Sequence, residues 1–459
     1  MGVKSADTPR FDVAQFVSDN CVAICMLLAI VALSFTGVGN AMFVCALGAM
    51  LCVAILTKRS MKLDLWIFIP LVIYIVIGAI ATFVTYGTLT EGYVCVEAVF
   101  LAIYLAIASM GDEEAFLMRR GCVAWAIVAG AVAIVLFACN AFGGVVSRLN
   151  WPLSGANAEG IFLVIAWFAL RALKSDETPD RVLRHGEPII LVALALTLSL
   201  GSFGALIIGA IAMLLYGKRD RTWGAVGADA AVMVVELAIG VGTGLCLYLA
   251  PSWGDLPLFN VVTLAYLIVL AVFWPRLDDY LRAHMRLTAP LAILGPLLAV
   301  VAACIRGSAP ATFVERLEMM GNGFGYLSVN PLFGVGPYQW RMLNMADGDT
   351  YFNTWHIHNS LLHISVELGL IAALMLLVIV VRFFLKRRNP EQRGGFIAFF
   401  VHNMFDTSFF FPAITGLMMM TAGSPRETGA CLCGAPVKIL AGVFALGFAV
   451  LALCYALGI

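Results

Sequence analysis

Residues 65–86 read LWIFIPLVIYIVIGAIATFVTY, 22 consecutive positions without a charge. A helix needs about 20 apolar residues to cross the hydrocarbon core of a bilayer, so this run predicts a membrane span. Similar runs recur on both sides of it, at 20–36, 40–56, 92–110, 121–143, 156–171, 187–201, 203–217, 226–250, 258–275, 288–305, 359–381, 395–409, 412–422 and 435–457. Several are short, and the expected count is 13 to 15 transmembrane helices. The composition agrees: of 459 residues, 62% are hydrophobic and 12% charged, against about 45–50% and about 25% in soluble domains. So few charges would not cover the surface of a soluble enzyme, and a disordered or fibrous chain is excluded as well. A net charge of zero argues against a nucleic-acid partner. The first apolar run lacks a small-residue cleavage site and reads as a retained helix. Most of the 12 cysteines sit in apolar runs, where a thiol behaves as a small hydrophobe. Cys431 and Cys433 form an isolated CxC that reads as incidental. The expected fold class is an all-α polytopic membrane protein.

The basic residues orient these spans. With the N-terminus, Lys4 and Arg10 included, placed in the cytoplasm, alternation puts 24 of the 28 Lys and Arg on that side. They include Lys58, Arg59, Lys174, Arg387, Arg388 and Arg426. That is the bias of the positive-inside rule. The side of the C-terminus depends on whether 395–422 is one span or two. Four basic residues remain outside, and all are arginine: Arg148, Arg306, Arg316 and Arg341. A guanidinium grips phosphate oxygens with a planar fork. The plainer alternative is that they are solvated or pair with Glu315, Glu318, Asp347 or Asp349.

One external segment is long, 306–357, and long connections usually carry function. Pro310 suits a first helical turn. Phe313, Leu317, Met320, Phe324 and Leu327 recur at helical spacing, which predicts an amphipathic helix over 311–328 lying in the membrane interface, with Arg316 beside its apolar stripe. Asn330-Pro331-Leu332-Phe333-Gly334-Val335-Gly336-Pro337 follows, and two glycines between prolines predict a tight turn. The GxG lacks the βαβ context of a dinucleotide site, so that reading is rejected.

Histidines converge on the same region. His356, His358 and His363 fall within eight residues at the outer end of a span, and His402 is expected near that face. Histidine is the natural general acid or base near neutral pH. A helix opening at Asn359 puts His358 at its start and His363 and Glu367, four apart, on one face. No carboxylate or cysteine completes a recognised metal-ligand spacing with the three histidines, so no metal is expected. The few ionisable residues within spans, Glu97, Glu159, Asp229, Glu236, Glu367 and Asp406, are costly in lipid and are expected to face a cavity or a partner. Asp406 follows His402 by four, so the two could line the outer cavity or satisfy each other.

The order of these motifs resembles the O-antigen ligase/polymerase superfamily of bacterial envelope glycosyltransferases. The resemblance rests on Arg316, the Pro331-Leu332-Phe333-Gly334-Val335-Gly336 turn, His358-Asn359-Ser360-Leu361-Leu362, and Val366-Glu367-Leu368-Gly369-Leu370. Val401-His402-Asn403-Met404-Phe405-Asp406 is similar to the closing hairpin of that module, and Arg148 through Asn157 to the loop ahead of it. One departure stands out. Ser199-Leu200-Gly201-Ser202-Phe203-Gly204 has Phe203 where the family commonly carries an arginine, which puts the usual two-arginine clamp in doubt.

The resemblance implies N-terminal transmembrane helices over 1–144, a GT-C-like catalytic membrane module over 145–422 and a C-terminal transmembrane helix over 423–459. It implies a bacterial cytoplasmic-membrane enzyme working at the outer face without cofactor or metal. The donor would be a glycan on a polyprenyl diphosphate, undecaprenyl diphosphate in the family, and the acceptor a glycan, lipid or protein. His358 would be the general base and Arg316 would hold the diphosphate, with inversion at the anomeric carbon. Arg148, Arg341, Arg306, His356, Asn359, His363 and Glu367 are the further substrate-site candidates, Glu367 more as an orienting group. Polymerase and ligase remain equally open. A secondary transporter or flippase of an envelope precursor is the rival; it predicts a midplane cavity with inverted symmetry. A purely structural membrane protein predicts that Arg316 and His358 point apart.

Overall fold

The computed structural model describes residues 12–36, 40–173, 178–253, 257–348, 354–386, 389–421 and 429–458. Lys4, Arg10, Lys174, Asp349, Arg387, Arg388 and Arg426 lie outside that set. The chain is a helical, multi-pass membrane protein. Among the described residues eight helices are long and apolar enough to cross a membrane, or nine if Val13–Asp19 and Cys21–Thr36, bent by 76°, make one span. The expectation of 13 to 15 also counted shorter runs. Several of the predicted runs become shorter helices, such as Ala41–Ile55, Val94–Ser109, Glu187–Thr197, Pro390–Asn403 and Pro412–Thr421. One small β element qualifies the all-helical expectation. Ser60–Leu63 pairs antiparallel with Ala430–Cys433, Ser60 opposite Cys433, with Met61 and Leu63 turned inward.

The burial pattern is that of a protein in lipid. Val94–Ser109, Ala156–Ala172 and Glu187–Thr197 are buried almost all round, as helices apolar on every side must be. At the periphery, Pro257–Ala283 and Ala435–Leu457 turn Ile268, Val272, Ile439 and Leu446 outward. That much exposed aliphatic surface is tolerable against acyl chains and not against water.

Two central helices are broken. Glu187–Thr197 stops at Leu198, in the left-handed region (φ 46), and Ser199 caps a new helix, Leu200–Gly217. A break inside the membrane frees carbonyls that must find donors. Leu196 O accepts from Leu149 N at 2.9 Å. Thr197 O accepts from Arg148 Nε at 2.7 Å, and Leu198 O from an Arg306 terminal nitrogen at 2.8 Å.

The second break lies in Ser360–Leu385, where Gly369 leaves helical geometry (φ 88). The glycine-proline turn fills this gap. Val335 N donates to Val366 O and Gly336 N to Glu367 O, both at 2.9 Å, and Leu370 N donates to Pro331 O at 2.8 Å. The turn thus supplies the partners that the interrupted helix lacks. A Cβ at Gly369 would run into the Leu332 carbonyl, and one at Gly334 into the Glu367 backbone. Both positions have positive φ as well, so glycine is required twice over.

The long segment is mostly helical rather than looped. The predicted surface helix spans Ala309–Val329 and a second short helix spans Gln339–Ala346. Phe313, Leu317 and Phe324 of the predicted stripe face outward. Met319 faces inward into a small core with Trp340, Ile357, Leu362 and Val366, and Met320 and Leu327 pack at its edge. The helix therefore has one face on the protein and one apolar face free for lipid, as an interfacial helix needs.

Gly369→Ala tests the join between turn and broken helix. The strained φ alone costs about 1–3 kcal/mol, and the backbone clash adds to it. We expect a lowered thermal midpoint in detergent. Gly442→Ala, where an added Cβ meets nothing within 4 Å, serves as the control and should unfold with the wild type.

Candidate functional site

The breaks bring distant parts of the chain to one place. Pro390–Asn403 ends with Asn403, whose side-chain oxygen accepts from Phe409 N at 2.7 Å. The Ser360 hydroxyl lies 3.0 Å from the same oxygen and 3.1 Å from Asp406 O. These bonds fix the 404–409 turn against the start of Ser360–Leu385 and set Asp406 beside His358. Asn359 caps that helix, accepting from Leu362 N at 2.9 Å.

Asp406 is the hub. Its Oδ2 accepts from Asn157 Nδ2 at 2.8 Å and from an Arg316 terminal nitrogen at 3.2 Å. His358 Nδ1 stands 3.9 Å from the same oxygen, beyond hydrogen-bonding distance. Its other oxygen accepts from Thr407 N at 2.8 Å. Burial alone would push the Asp406 carboxyl up, but His358, His402 and Arg316 outweigh it and hold the group well below the usual carboxylate range. It is an anion throughout the physiological range. Asn157 in turn receives Arg148 at 2.8 Å and the Ser199 hydroxyl at 3.1 Å. The network Arg148–Asn157–Asp406–Arg316 therefore ties the loop before Ala156–Ala172, the first helix break and the surface helix to one carboxylate.

Three guanidiniums share this region with that single carboxylate. Burial pushes Arg148 down to about 10, and nearby Arg306 and Arg316 push the same way. Arg306 is lowered by burial and then by Arg316. The mutual repulsion places the three within electrostatic reach of one another, so the site is locally cationic and short of counter-charge.

A cavity of about 470 Å³ opens beside them, lined by Arg306, Arg316, Asp406 and His402 and by apolar Phe313, Ile208 and Phe405. The first turn of Leu200–Gly217 forms one wall through Leu200, Gly201 and Gly204. First-turn amides have no intrahelical partner and carry the positive end of the helix dipole, so this wall favours an anion. Nothing lies within 4 Å of a Cβ added at Gly204, which leaves the backbone approachable there. Arg316 Nε and His358 Nδ1 are buried polar atoms without a hydrogen-bond partner. Such atoms are uncommon in a finished protein interior; among the described residues others lie at Glu97, Glu159 and Trp340, and these two belong to residues around Asp406.

The remaining sequence candidates lie elsewhere. His363 and Glu367 are fully buried behind the site, so their expected contact with substrate is not met. The Glu367 carboxylate accepts from the Tyr93 hydroxyl, from Tyr338 N at 2.8 Å and from Trp340 N at 3.3 Å. It clamps the end of the glycine turn, and His363 Nε2 lies 3.5 Å away. His356 stacks on Phe410 at 4.7 Å and meets the His363 ring edge at 4.8 Å. Burial, then His358, lowers its pKa to about 4, so it is neutral. Arg341 stacks on Trp355 at 3.7 Å and does not line the cavity. Asn359 is a helix cap rather than a binding group. Among the described residues Arg148, Arg306 and Arg316 pair with backbone, Asn157 and Asp406; Asp349, one of the acidic residues considered as a partner, lies outside them.

Of the two readings of His402 and Asp406, the structure has them line one cavity and not bond each other: His402 lies 3.2 Å from each of the Ser202 and Ser408 hydroxyls, because its helix ends before Asp406. Phe203 packs against the hydrophobic core. Asp406, Asn157 and Ser199 were not among the predicted site residues. The signal for Asp406 was a lone carboxylate in an otherwise apolar run. Among the described residues no group of three or more His, Cys, Asp or Glu side chains is placed to hold a metal ion.

Compared with known proteins, the chain matches no family model and no curated protein.

A cationic cavity with a spare arginine nitrogen should bind a diphosphate on its own. Inorganic pyrophosphate should raise the thermal midpoint of the purified protein, by the equivalent of about 2.7 kcal/mol at a concentration near 100 Kd. Arg316→Ala should abolish most of that shift, and chloride at equal ionic strength should not reproduce it.

Proposed function

We propose that the protein is a membrane glycosyltransferase that moves a glycan from a polyprenyl diphosphate to an acceptor hydroxyl at the outer face of a bacterial cytoplasmic membrane. The observation that carries this reading is the placing of Arg316 and His358 around Asp406, each with a buried nitrogen that has no hydrogen-bond partner among the described residues; Arg316 and Asp406, though not His358, line a cavity that is cationic at one wall and apolar at another. A polyprenyl-linked diphosphate has the same division: a doubly anionic head and a long hydrocarbon tail. The head would lie against Arg316, Arg306 and the first turn of Leu200–Gly217. The tail would leave past Phe313 and Phe405 toward lipid. The resemblance to the O-antigen ligase/polymerase superfamily points the same way.

In this reading the acceptor oxygen attacks the anomeric carbon from the face opposite the diphosphate. The new C–O bond forms as the old one breaks, and its electron pair leaves on the polyprenyl diphosphate oxygen. Arg316 stabilises that charge as it develops. The acceptor's proton passes to His358, which is worth about 10²–10⁴ in rate for a positioned base. His358 takes it on Nε2, with Nδ1 turned toward Asp406, whose negative charge favours the imidazolium that results. The gap of 3.9 Å is of the kind that tightens when substrate binds. The family arginine missing at Phe203 is replaced by Arg306 and the dipole of the helix that Phe203 belongs to. Under this reading the basic loops face the cytoplasm and the Ala309–Val329 helix lies at the outer leaflet.

The test is genetic and chemical. Cells carrying His358→Ala or Arg316→Ala at normal protein level should lose surface glycan, and wild-type glycan in both would refute the proposal. Lipid-linked intermediates then separate the two reaction types. Single repeat units accumulate if polymerisation has stopped, and long lipid-linked chains accumulate if ligation has stopped.

A further inference from the structure

A second cavity, of about 370 Å³, sits at the other end of the same helices. Arg171 marks it in the last turn of Ala156–Ala172, fourteen residues after Asn157. At 1.5 Å per residue that is roughly 21 Å along the axis, so the two sites are separate. Its volume is that of a small-ligand pocket, and its lining is mostly charged.

The charges are sorted by depth. At the inner end Glu187 and Glu236 share one arginine: Arg171 reaches them at 2.6 and 2.9 Å. Two indoles, Trp167 and Trp274, donate to Glu187 at 2.8 and 3.0 Å and hold it in place. Glu236 is almost wholly buried and accepts from Arg171 on Oε2. The inner end therefore has more carboxylate than cation. At the mouth Asp229 is bridged by Arg221 and Arg282, and Arg282 also holds Asp278, so those charges balance. Arg184 lines the same cavity and makes no ion pair among the described residues. It is thus the lining cation that has no carboxylate partner among the described residues.

We infer that this cavity binds a compact zwitterion carrying a primary ammonium and a phosphate a few atoms apart. The ammonium would lie at Glu236 and Glu187, where two carboxylates share one arginine, and the phosphate at Arg184. A quaternary ammonium cannot donate a hydrogen bond and fits the inner end poorly. Phosphoethanolamine is the simplest molecule with this chemistry, whether free or as a phospholipid headgroup. The inference does not depend on the glycan-transfer reading, because no residue is shared with the Asp406 site.

The test uses the full chain in detergent. O-phosphoethanolamine should raise the thermal midpoint more than ethanolamine, inorganic phosphate or phosphocholine at the same concentration. Arg184→Gln and, separately, Glu236→Gln should each weaken the effect about tenfold, the loss of one charge-assisted contact of about 1.4 kcal/mol. Arg184→Gln removes no ion pair of the folded protein, so its unliganded midpoint should stay at the wild-type value. Native mass spectrometry from mixed bilayers assigns the source: preferential retention of phosphatidylethanolamine over phosphatidylglycerol means a lipid headgroup, and a thermal shift without that preference means a free ligand. Equal shifts with phosphate and phosphoethanolamine and no lipid preference would overturn the inference, as would an unchanged shift in Arg184→Gln.

Discussion

In hydrocarbon a backbone N–H or C=O without a partner costs several kcal/mol, and this constraint shapes the centre of the molecule. Two buried helices are interrupted, at Leu198–Ser199 and at Gly369, and each interruption exposes carbonyls where no water can reach them. The fold answers with chain brought from elsewhere. At the first break the donors are Leu149 N, Arg148 and Arg306. At the second they are the amides of Val335 and Gly336, from a turn that can enter only because Gly334 and Gly369 have no side chains. The breaks therefore recruit a loop, two arginines and a glycine turn to one region. The candidate site is assembled from what they recruit.

This origin reconciles two roles for the same arginines. Arg148 and Arg306 are structural, because each caps a carbonyl at the end of Glu187–Thr197. A guanidinium has five N–H donors, and a backbone cap uses one of them. The others remain for Asn157 in the case of Arg148 and for the cavity in the case of Arg306. Arg316 differs, since its fixed partner is the Asp406 carboxylate. That pairing holds it at the cavity wall without neutralising the neighbourhood, where two more guanidiniums lie close. One carboxylate among three arginines orients the cations and leaves the excess charge for a ligand.

The spans were legible wherever an apolar run was long, as at Leu65–Tyr86. The short, wholly buried helices such as Glu187–Thr197 gave the same signal, because hydropathy does not distinguish a helix shielded by protein from one that crosses lipid. The surface helix and the glycine turn were visible in their spacing and their prolines. The His363–Glu367 relation followed from helical periodicity, though not its purpose, which is to hold a turn some thirty residues earlier in the chain. Asp406 was recognised as a costly charge but not as the hub. Its partners Asn157 and Arg316 stand 249 and 90 residues away, and helical spacing offered it the wrong partner, His402. The helix stops at Asn403, one turn too soon for that pair.

The stop at Asn403 has a further consequence for chemistry. Because Asp406 lies on a turn and not on a helix, its position is set by side-chain bonds from Ser360 and Asn403, and Ser360 opens the same helix that Gly369 interrupts. The helix that anchors Asp406 through Ser360 is therefore the same one on which the glycine turn seats. A helix without the break would leave Val366 and Glu367 carbonyls satisfied within the helix and the turn without a seat. The Glu367 clamp on Tyr338 and Trp340 would go with it. The fully buried histidine and glutamate behind the site belong to the support of that turn and not to the cavity.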